Sequence, residues 1–185
     1  MKIIALNGSP RVRGRGYKYL QFFKESINRN QGIDFNIINL ADYRIEQCKG
    51  CMICYEKGEE SCPQKDDYIA LIRTLLDSDA VIFYTPTYTL SVSGMIKNFF
   101  DRSSYLFHRP LFKGKYSLIL SCAAVFGEGY ALRTLTLLSE GVGFRVLGKI
   151  GIKNYSYDLK PAYELRIKSL IRKKMPEACF KIKKK

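Results

Sequence analysis

Histidine is almost absent from this 185-residue chain: His108 is the single one, against 31 Lys and Arg. One imidazole excludes a His-rich metal site, and a Ser-His-Asp hydrolase would have to rest entirely on His108. Its place behind Leu106 and Phe107 suits a packed or rim histidine instead. Long apolar runs are missing too. None approaches the roughly 20 residues that span a bilayer, while hydrophobic residues reach 46%, so a soluble protein with a real core is expected. The opening residues, Met1 to Gly8, hold too short an apolar run for a signal peptide, and the expected location is the cytoplasm. Internal repeats and low-complexity linkers are lacking, and the length fits one domain over 1–185.

Acidic residues are the minority, 17 in all, which leaves a formal charge of +14. That balance invites a nucleic-acid reading, but the charge is uneven. Between Lys160 and Lys185 ten Lys or Arg are opposed only by Glu164 and Glu177, a local balance of +8. A basic end of this kind, with its tail at 175–185, is either a solvated tail or a docking segment for phosphates, acidic partners or membrane surfaces. No helix-turn-helix, RNA-recognition or oligonucleotide-barrel signature accompanies it, so nucleic acid is not an expected partner.

Short continuous apolar runs alternate with helical patterns along the rest of the chain. Ile3 to Leu6, Phe35 to Leu40, Ala80 to Tyr84, Tyr116 to Leu120 and Phe144 to Ile150 read as strands buried on both faces. Between them Tyr17 to Arg29, a stretch with Ile69, Ile72, Leu75 and Leu76 capped by Asp66 or Asp67, Met95 to Phe100, and Tyr130 to Ser139 carry apolar residues at three- and four-residue steps. A last helix fits Ala162 to Lys173. This alternation implies a parallel sheet covered on both sides. The fold expected is an α/β, flavodoxin-like three-layer sandwich with five strands in the order 2-1-3-4-5, whose ligands sit beyond the carboxyl ends of the strands.

The loops at those ends carry the chemistry. After the first strand comes Gly8-Ser9-Pro10-Arg11-Val12-Arg13-Gly14-Arg15-Gly16, which puts a hydroxyl and three guanidiniums just ahead of a helix. Helix N-terminal amides and arginine both favour an anion there, although neither the G-K-[ST] ending of a P-loop nor G-x-G-x-x-G is present. After the third strand comes Thr85-Pro86-Thr87-Tyr88-Thr89-Leu90-Ser91-Val92-Ser93-Gly94, leading into Met95-Ile96-Lys97-Asn98-Phe99-Phe100-Asp101-Arg102. On that helix Asp101 and Arg102 read as members of a salt bridge within the chain or at a subunit interface.

Gly-Ser-Pro-Arg in the first loop, and Pro-x-Tyr, small residues, Lys, aromatic and Asp-Arg in the second, resemble the NADPH-dependent FMN reductase family and, within it, the iron-sulfur flavoproteins. The resemblance runs from Met1 to about Ile150. It implies that Ser9 and Arg11 contact an FMN phosphate, with Arg15 and Gly16 beside them, and that Pro86, Thr87, Tyr88, Ser91, Val92, Ser93 and Gly94 line the flavin ring. A weaker match, Ser121-Cys122-Ala123-Ala124-Val125-Phe126-Gly127, implies a third flavin-facing loop. Cys122 there is a buried structural cysteine or one that approaches the ring, and Gly127 and Gly129 open the next helix. One departure stands out: the family continues Gly-Asn-Thr or Gly-Asn-Ser where this chain has Gly14-Arg15-Gly16. The implied activity is hydride transfer from NAD(P)H to FMN and onward to a quinone, a flavin or an iron-sulfur acceptor, in a homodimer or homotetramer.

Cysteine is concentrated in one place. Cys48, Cys51, Cys54 and Cys62 form C-x2-C-x2-C-x7-C followed by Pro63, within a cysteine-rich insertion at 41–65. In a reducing compartment clustered thiols bind metals or do chemistry more often than they form disulfides. The pattern is close to the ferredoxin run C-x2-C-x2-C-x3-C-P apart from its last gap. Structural zinc sites ordinarily use two knuckles around a longer spacer. A 4Fe-4S cluster, zinc and free oxidisable thiols all stay open, the first being the arrangement the iron-sulfur flavoproteins suggest. The rival function is a non-enzymatic basic binding module with a zinc-stiffened cysteine loop.

Overall fold

The computed structural model describes residues 1–27 and 32–153. The helix expected at Ala162 to Lys173, the tail at 175–185 and the end of the first helix near Arg29 lie outside them.

Five parallel strands form one sheet: β1 (Lys2–Asn7), β2 (Asp34–Asn39), β3 (Ala80–Pro86), β4 (Tyr116–Ala123) and β5 (Arg145–Lys153). Their order is β2-β1-β3-β4-β5, the flavodoxin-like arrangement expected from the alternation. The helices are α1 (Arg15–Ile27), a short α2 (Ile53–Glu56), α3 (Tyr68–Leu76), α4 (Gly94–Arg102) and α5 (Glu128–Gly141).

Side chains alternate across each strand, so one run of apolar residues feeds two cores. Ile4, Leu6, Val81, Phe83 and Ile119 pack under α3, α4 and α5 with Leu71, Ile96, Phe99, Phe100 and Leu135. Ile3, Ala5, Ile82, Tyr84, Leu118 and Leu120 face the other way, onto Tyr19, Leu20 and Phe23 of α1.

Several strands run past their expected ends, among them β3 to Pro86, β4 to Ala123 and β5 to Lys153. Pro86 lies opposite Cys122 in the β3–β4 register, so both of the loops that follow start from the same sheet edge. A second difference concerns α3. Asp67 occupies the position before the helix but its carboxylate makes no cap; its Oδ2 accepts from the Arg44 N–H at 2.8 Å instead. The Tyr68 N–H is taken by Asp66 Oδ1 at 3.1 Å.

Candidate functional site

The first loop is built from a chain of short-range hydrogen bonds. Asn7, fully buried, donates from Nδ2 to Asn39 Oδ1 at 2.9 Å, while its Oδ1 accepts from the Ser9 N–H at 3.1 Å. Ser9 Oγ in turn accepts from the Arg11 N–H at 3.1 Å, and the Gly14 N–H closes a turn on the Arg11 carbonyl at 2.9 Å. The loop therefore reaches α1 already shaped, and the amides of the first helical turn have no partners within the helix. Ser9 is buried and Arg11 and Arg13 are exposed, so hydroxyl, guanidiniums and helix terminus gather at one end of the sheet.

Ser93 fastens this loop to the next one. Its hydroxyl donates to the Gly8 carbonyl and accepts from the Ile96 N–H at 3.3 Å, capping α4, while its own N–H donates to Thr85 Oγ1 at 2.9 Å. Only glycine fits opposite: a Cβ on Gly8 would stand 1.9 Å from Ile96 Cγ1 and 2.9 Å from the Tyr84 carbonyl. Ser93 and Val92, expected along the ring, are buried as the fastening and part of the core. Thr87, Tyr88, Leu90, Ser91 and Gly94 remain at the surface.

The altered stretch Gly14-Arg15-Gly16 has a structural counterpart in Tyr84. A Cβ on Gly16 would lie 1.9 Å from Tyr84 Cε1 and 2.6 Å from the Tyr84 hydroxyl oxygen, so the phenol occupies the space a side chain at position 16 would use. Burial pushes the Tyr84 phenol well above its ordinary value, so it keeps its proton and remains a donor. Arg15 lies close enough to Tyr84 and Cys122 to favour the charged form of each, which places its guanidinium by the ends of β3 and β4. Cys122 is half-buried. Its thiol is pushed up by burial against the opposing effects of a hydrogen bond with Tyr19 and of Arg15, and it is protonated at neutral pH.

Tyr88 to Ser91 form a two-residue hairpin turn, with N–H to carbonyl bonds of 3.0 and 2.9 Å in both directions. Thr89 and Leu90 sit at φ 47° and 61°, the left-handed region that a type I′ turn requires and that a β-branched residue resists. Asn-Gly at these positions removes that strain, and T89N/L90G should raise stability by about 1–2 kcal/mol, read as a higher urea midpoint. Across from the turn, Gly127 has φ 99° and a Cβ there would approach Leu90 Cδ2 to 2.8 Å. The Thr87 N–H donates to the Cys122 carbonyl at 2.8 Å. The second and third loops thus touch, and they display Tyr88, Leu90, Val125, Phe126 and Tyr130 to solvent, Phe126 at 66% exposure.

The cysteines gather elsewhere, between the 47–64 segment and α4. Cys48, Cys51, Cys54 and Cys62 line one pocket together with Tyr68, Arg102 and Tyr105. Cys48 and Cys51 are exposed, Cys54 and Cys62 half-buried. Burial pushes the Cys54 thiol up, and the three other cysteines add to this, as expected of sulfurs sharing a small space. Two left-handed turns at Gly50 (φ 63°) and Met52 (φ 62°) bring the first three cysteines round the pocket. Among the described residues no three His, Cys, Asp or Glu converge on the point that a single ion needs. The Tyr105 hydroxyl is buried and interacts with that of Tyr68. Four thiols around one pocket fit a guest larger than one ion and rich in sulfur. Beside the pocket, a groove of about 470 Å³ runs along Gln47, Cys48, Gly50, Gly94, Lys97, Asn98, Asp101 and Ser104.

A buried ion pair holds the cysteine segment in place. Arg102 and Asp66, with side chains 3% and 1% exposed, meet through two hydrogen bonds, one of 3.2 Å. Arg102 also donates to the Glu46 carbonyl at 3.0 Å and to Cys62 Sγ at 3.6 Å, and lies over the Tyr68 ring at 4.8 Å. Asp66 Oδ2 further accepts from the Glu46 N–H at 2.8 Å. Burial alone would raise the Asp66 carboxyl; the hydrogen bonds from Arg102, Glu46 and Tyr68 outweigh it and hold the group below its ordinary value. A depressed carboxyl stabilises the fold above its unfolded pKa of about 3.9 and loses that contribution as pH falls through the folded value. Chemical denaturation at pH 5 and below pH 4 should show wild type losing more stability than D66N across that interval.

Asp101, adjacent in sequence, pairs instead with Lys97 on the exposed side of α4. The expected salt bridges are therefore within the chain, with separate partners. His108 is an exposed rim residue whose ring meets Tyr55 edge-on at 5.3 Å.

The family model for NADPH-dependent FMN reductase matches residues 1–154. The chain belongs to this family. It is thus an oxidoreductase by family, and no described helix is long and apolar enough to cross a membrane. An iron-sulfur flavoprotein of Archaeoglobus fulgidus is 35% identical over 176 residues, covering 89% of this chain and 77% of that protein. Another, from Clostridioides difficile, is 28% identical and covers 100% and 81%. Among solved structures, an FMN-dependent NADH-azoreductase of Bacillus anthracis in complex with FMN superposes with a TM-score of 0.71 over 94% of this chain and 97% of that one. Its 12% identity makes it evidence for the fold. Tyr84, Tyr105 and Asp66 as site neighbours were not legible as such in the sequence; the glycine at position 16 was the signal for the first.

Proposed function

We propose that this chain is an FMN-dependent NAD(P)H oxidoreductase that passes electrons to a quinone, a flavin or an iron-sulfur centre. One observation carries the reading: three loops, after β1, β3 and β4, meet at one edge of the sheet and are bonded to each other through Ser93, Gly8, Thr87 and Cys122. A bound FMN would supply the chemistry: hydride acceptance from NAD(P)H and release of two electrons together or singly.

The chain's own part is to bind and orient. Ser9, Arg11, Arg15 and the α1 terminus supply charge and amides for the phosphate. The Tyr84 phenol, beside Gly16, supplies the hydroxyl that the family's Thr or Ser would otherwise bring. Thr87, Tyr88, Leu90, Ser91, Gly94 and the Gly127 loop offer apolar surface and backbone amides to the ring, whereas Pro86, expected beside them, is buried at the end of β3. The exposed aromatics Tyr88, Phe126 and Tyr130 are covered by a second copy of the chain, which also shields the ring from water. No side chain is required as a catalytic acid or base.

The four cysteines hold a 4Fe-4S cluster in this reading, with Cys48, Cys51, Cys54 and Cys62 as ligands, in a protein of the reducing cytoplasm. Neither fold nor family favours the zinc-stiffened binding module.

Protein purified without oxygen and reconstituted with FMN, iron and sulfide tests both parts. Flavin absorption retained through gel filtration and oxidation of NADH or NADPH in the presence of a quinone are expected. A sample that binds no FMN overturns the flavin reading, and one that takes up no iron overturns the cluster.

A further inference from the structure

We propose that Arg102 is a hydrogen-bond donor on the buried side of the cysteine pocket and raises the reduction potential of the cluster held there. This rests on the cluster reading above and concerns positioning residues, not ligands.

The pocket is lopsided. Its outer side carries the exposed Cys48 and Cys51, while the inner side is made by the half-buried Cys54 and Cys62 with Tyr68, Arg102 and Tyr105 behind them. On that inner side Arg102 puts a full positive charge against a cysteine sulfur, at 3.6 Å from Cys62 Sγ. The guanidinium cannot turn away. Asp66 and the Glu46 carbonyl hold its other N–H groups, and the Tyr68 ring covers its face.

When such a cluster gains one electron its net charge falls by one, and the added negative charge spreads onto the sulfurs. Donors aimed at sulfur stabilise the reduced form more than the oxidised one, so they raise the potential. Asp66 works the other way. It offsets the Arg102 charge, and its removal leaves that charge uncompensated beside Cys62. Two substitutions at one ion pair should therefore shift the potential in opposite directions, which loosening of the fold would not do.

The experiment uses the full chain, reconstituted anaerobically, with iron and sulfide counted and the one-electron midpoint read by mediated titration followed by electron paramagnetic resonance. R102K, which keeps the charge but loses the fork, should shift the reduction equilibrium about three- to tenfold toward the oxidised form; tenfold is about 59 mV for one electron. D66N should shift it toward the reduced form. Y68F, which keeps the ring over Arg102, should leave the potential unchanged. Fully loaded R102K or D66N with a midpoint equal to wild type would overturn the proposal. Should one of these two variants fail to fold, the other decides. Wild type that takes up no iron overturns the cluster reading and this proposal with it, a result visible before any variant is titrated.

Discussion

Gly16→Thr is expected to weaken FMN binding by about 100-fold, and Tyr84→Val in the same chain to recover most of that loss. The threonine Cβ would overlap the Tyr84 ring, 1.9 Å from Cε1, in a core with no spare volume. Overpacking of this kind costs about 1–3 kcal/mol, and here it would move the helix terminus proposed to receive the phosphate. A smaller residue at 84 clears the ring and lets the new hydroxyl take the place of the phenol. Gly16 and Tyr84 should thus show coupling rather than additivity. Tyr84→Phe alone, which keeps the packing and removes the donor, should weaken FMN by about tenfold, close to one neutral hydrogen bond. Titration of free flavin fluorescence against each variant measures all three. Equal affinity for wild type and Y84F would show that the phenol does not contact the phosphate.

The second large effect is on stability. Arg102→Ala should cost about 3–5 kcal/mol, because it leaves the Asp66 carboxylate buried without its partner, and the Glu46 carbonyl and Cys62 lose a donor with it. For a chain of this length that corresponds to a fall in melting temperature of roughly 10 °C. The double variant D66L/R102L should be much closer to wild type, since replacing a buried pair by apolar residues removes the desolvation cost of both charges. If R102A melts within a degree or two of wild type, the pair does not hold the cysteine segment to α4. By contrast, Asp101→Ala breaks only an exposed i,i+4 pair on the same helix and should change stability by less than about 0.5 kcal/mol.

The parallel sheet was legible because Ile3 to Leu6 and Ala80 to Tyr84 are continuous apolar runs, the mark of strands buried on both faces. Their ends were less so. Thr85-Pro86 and Ser121-Cys122 read locally as loop, yet β3 and β4 extend through them because each has the other in register. Similarly α1 begins at Arg15, where Gly14 and Gly16 argue locally for a turn. The cysteine quartet and the Gly-Ser-Pro-Arg loop could be read directly, since spacing and order carry their meaning. Arg102 with Asp66 could not: the two are 36 residues apart, and an Asp-Arg step on a helix points to Asp101 instead. Ser93 was expected along the ring, and its part as a fastener was not legible because its acceptor, the Gly8 carbonyl, is 85 residues away.

That separation sets a timetable for the nascent chain. The β1 loop with its arginines is synthesised early, but the hydroxyl that closes it against the β3 loop, and the Ile96 side chain that packs over Gly8, come nearly ninety residues later. Until β3 has paired beside β1 and α4 has begun, the emerging polypeptide offers a cofactor only half a cradle. FMN therefore has no complete cradle until the chain has grown past Ser93 and Ile96, and fragments ending before Ser93 should leave the ribosome without it.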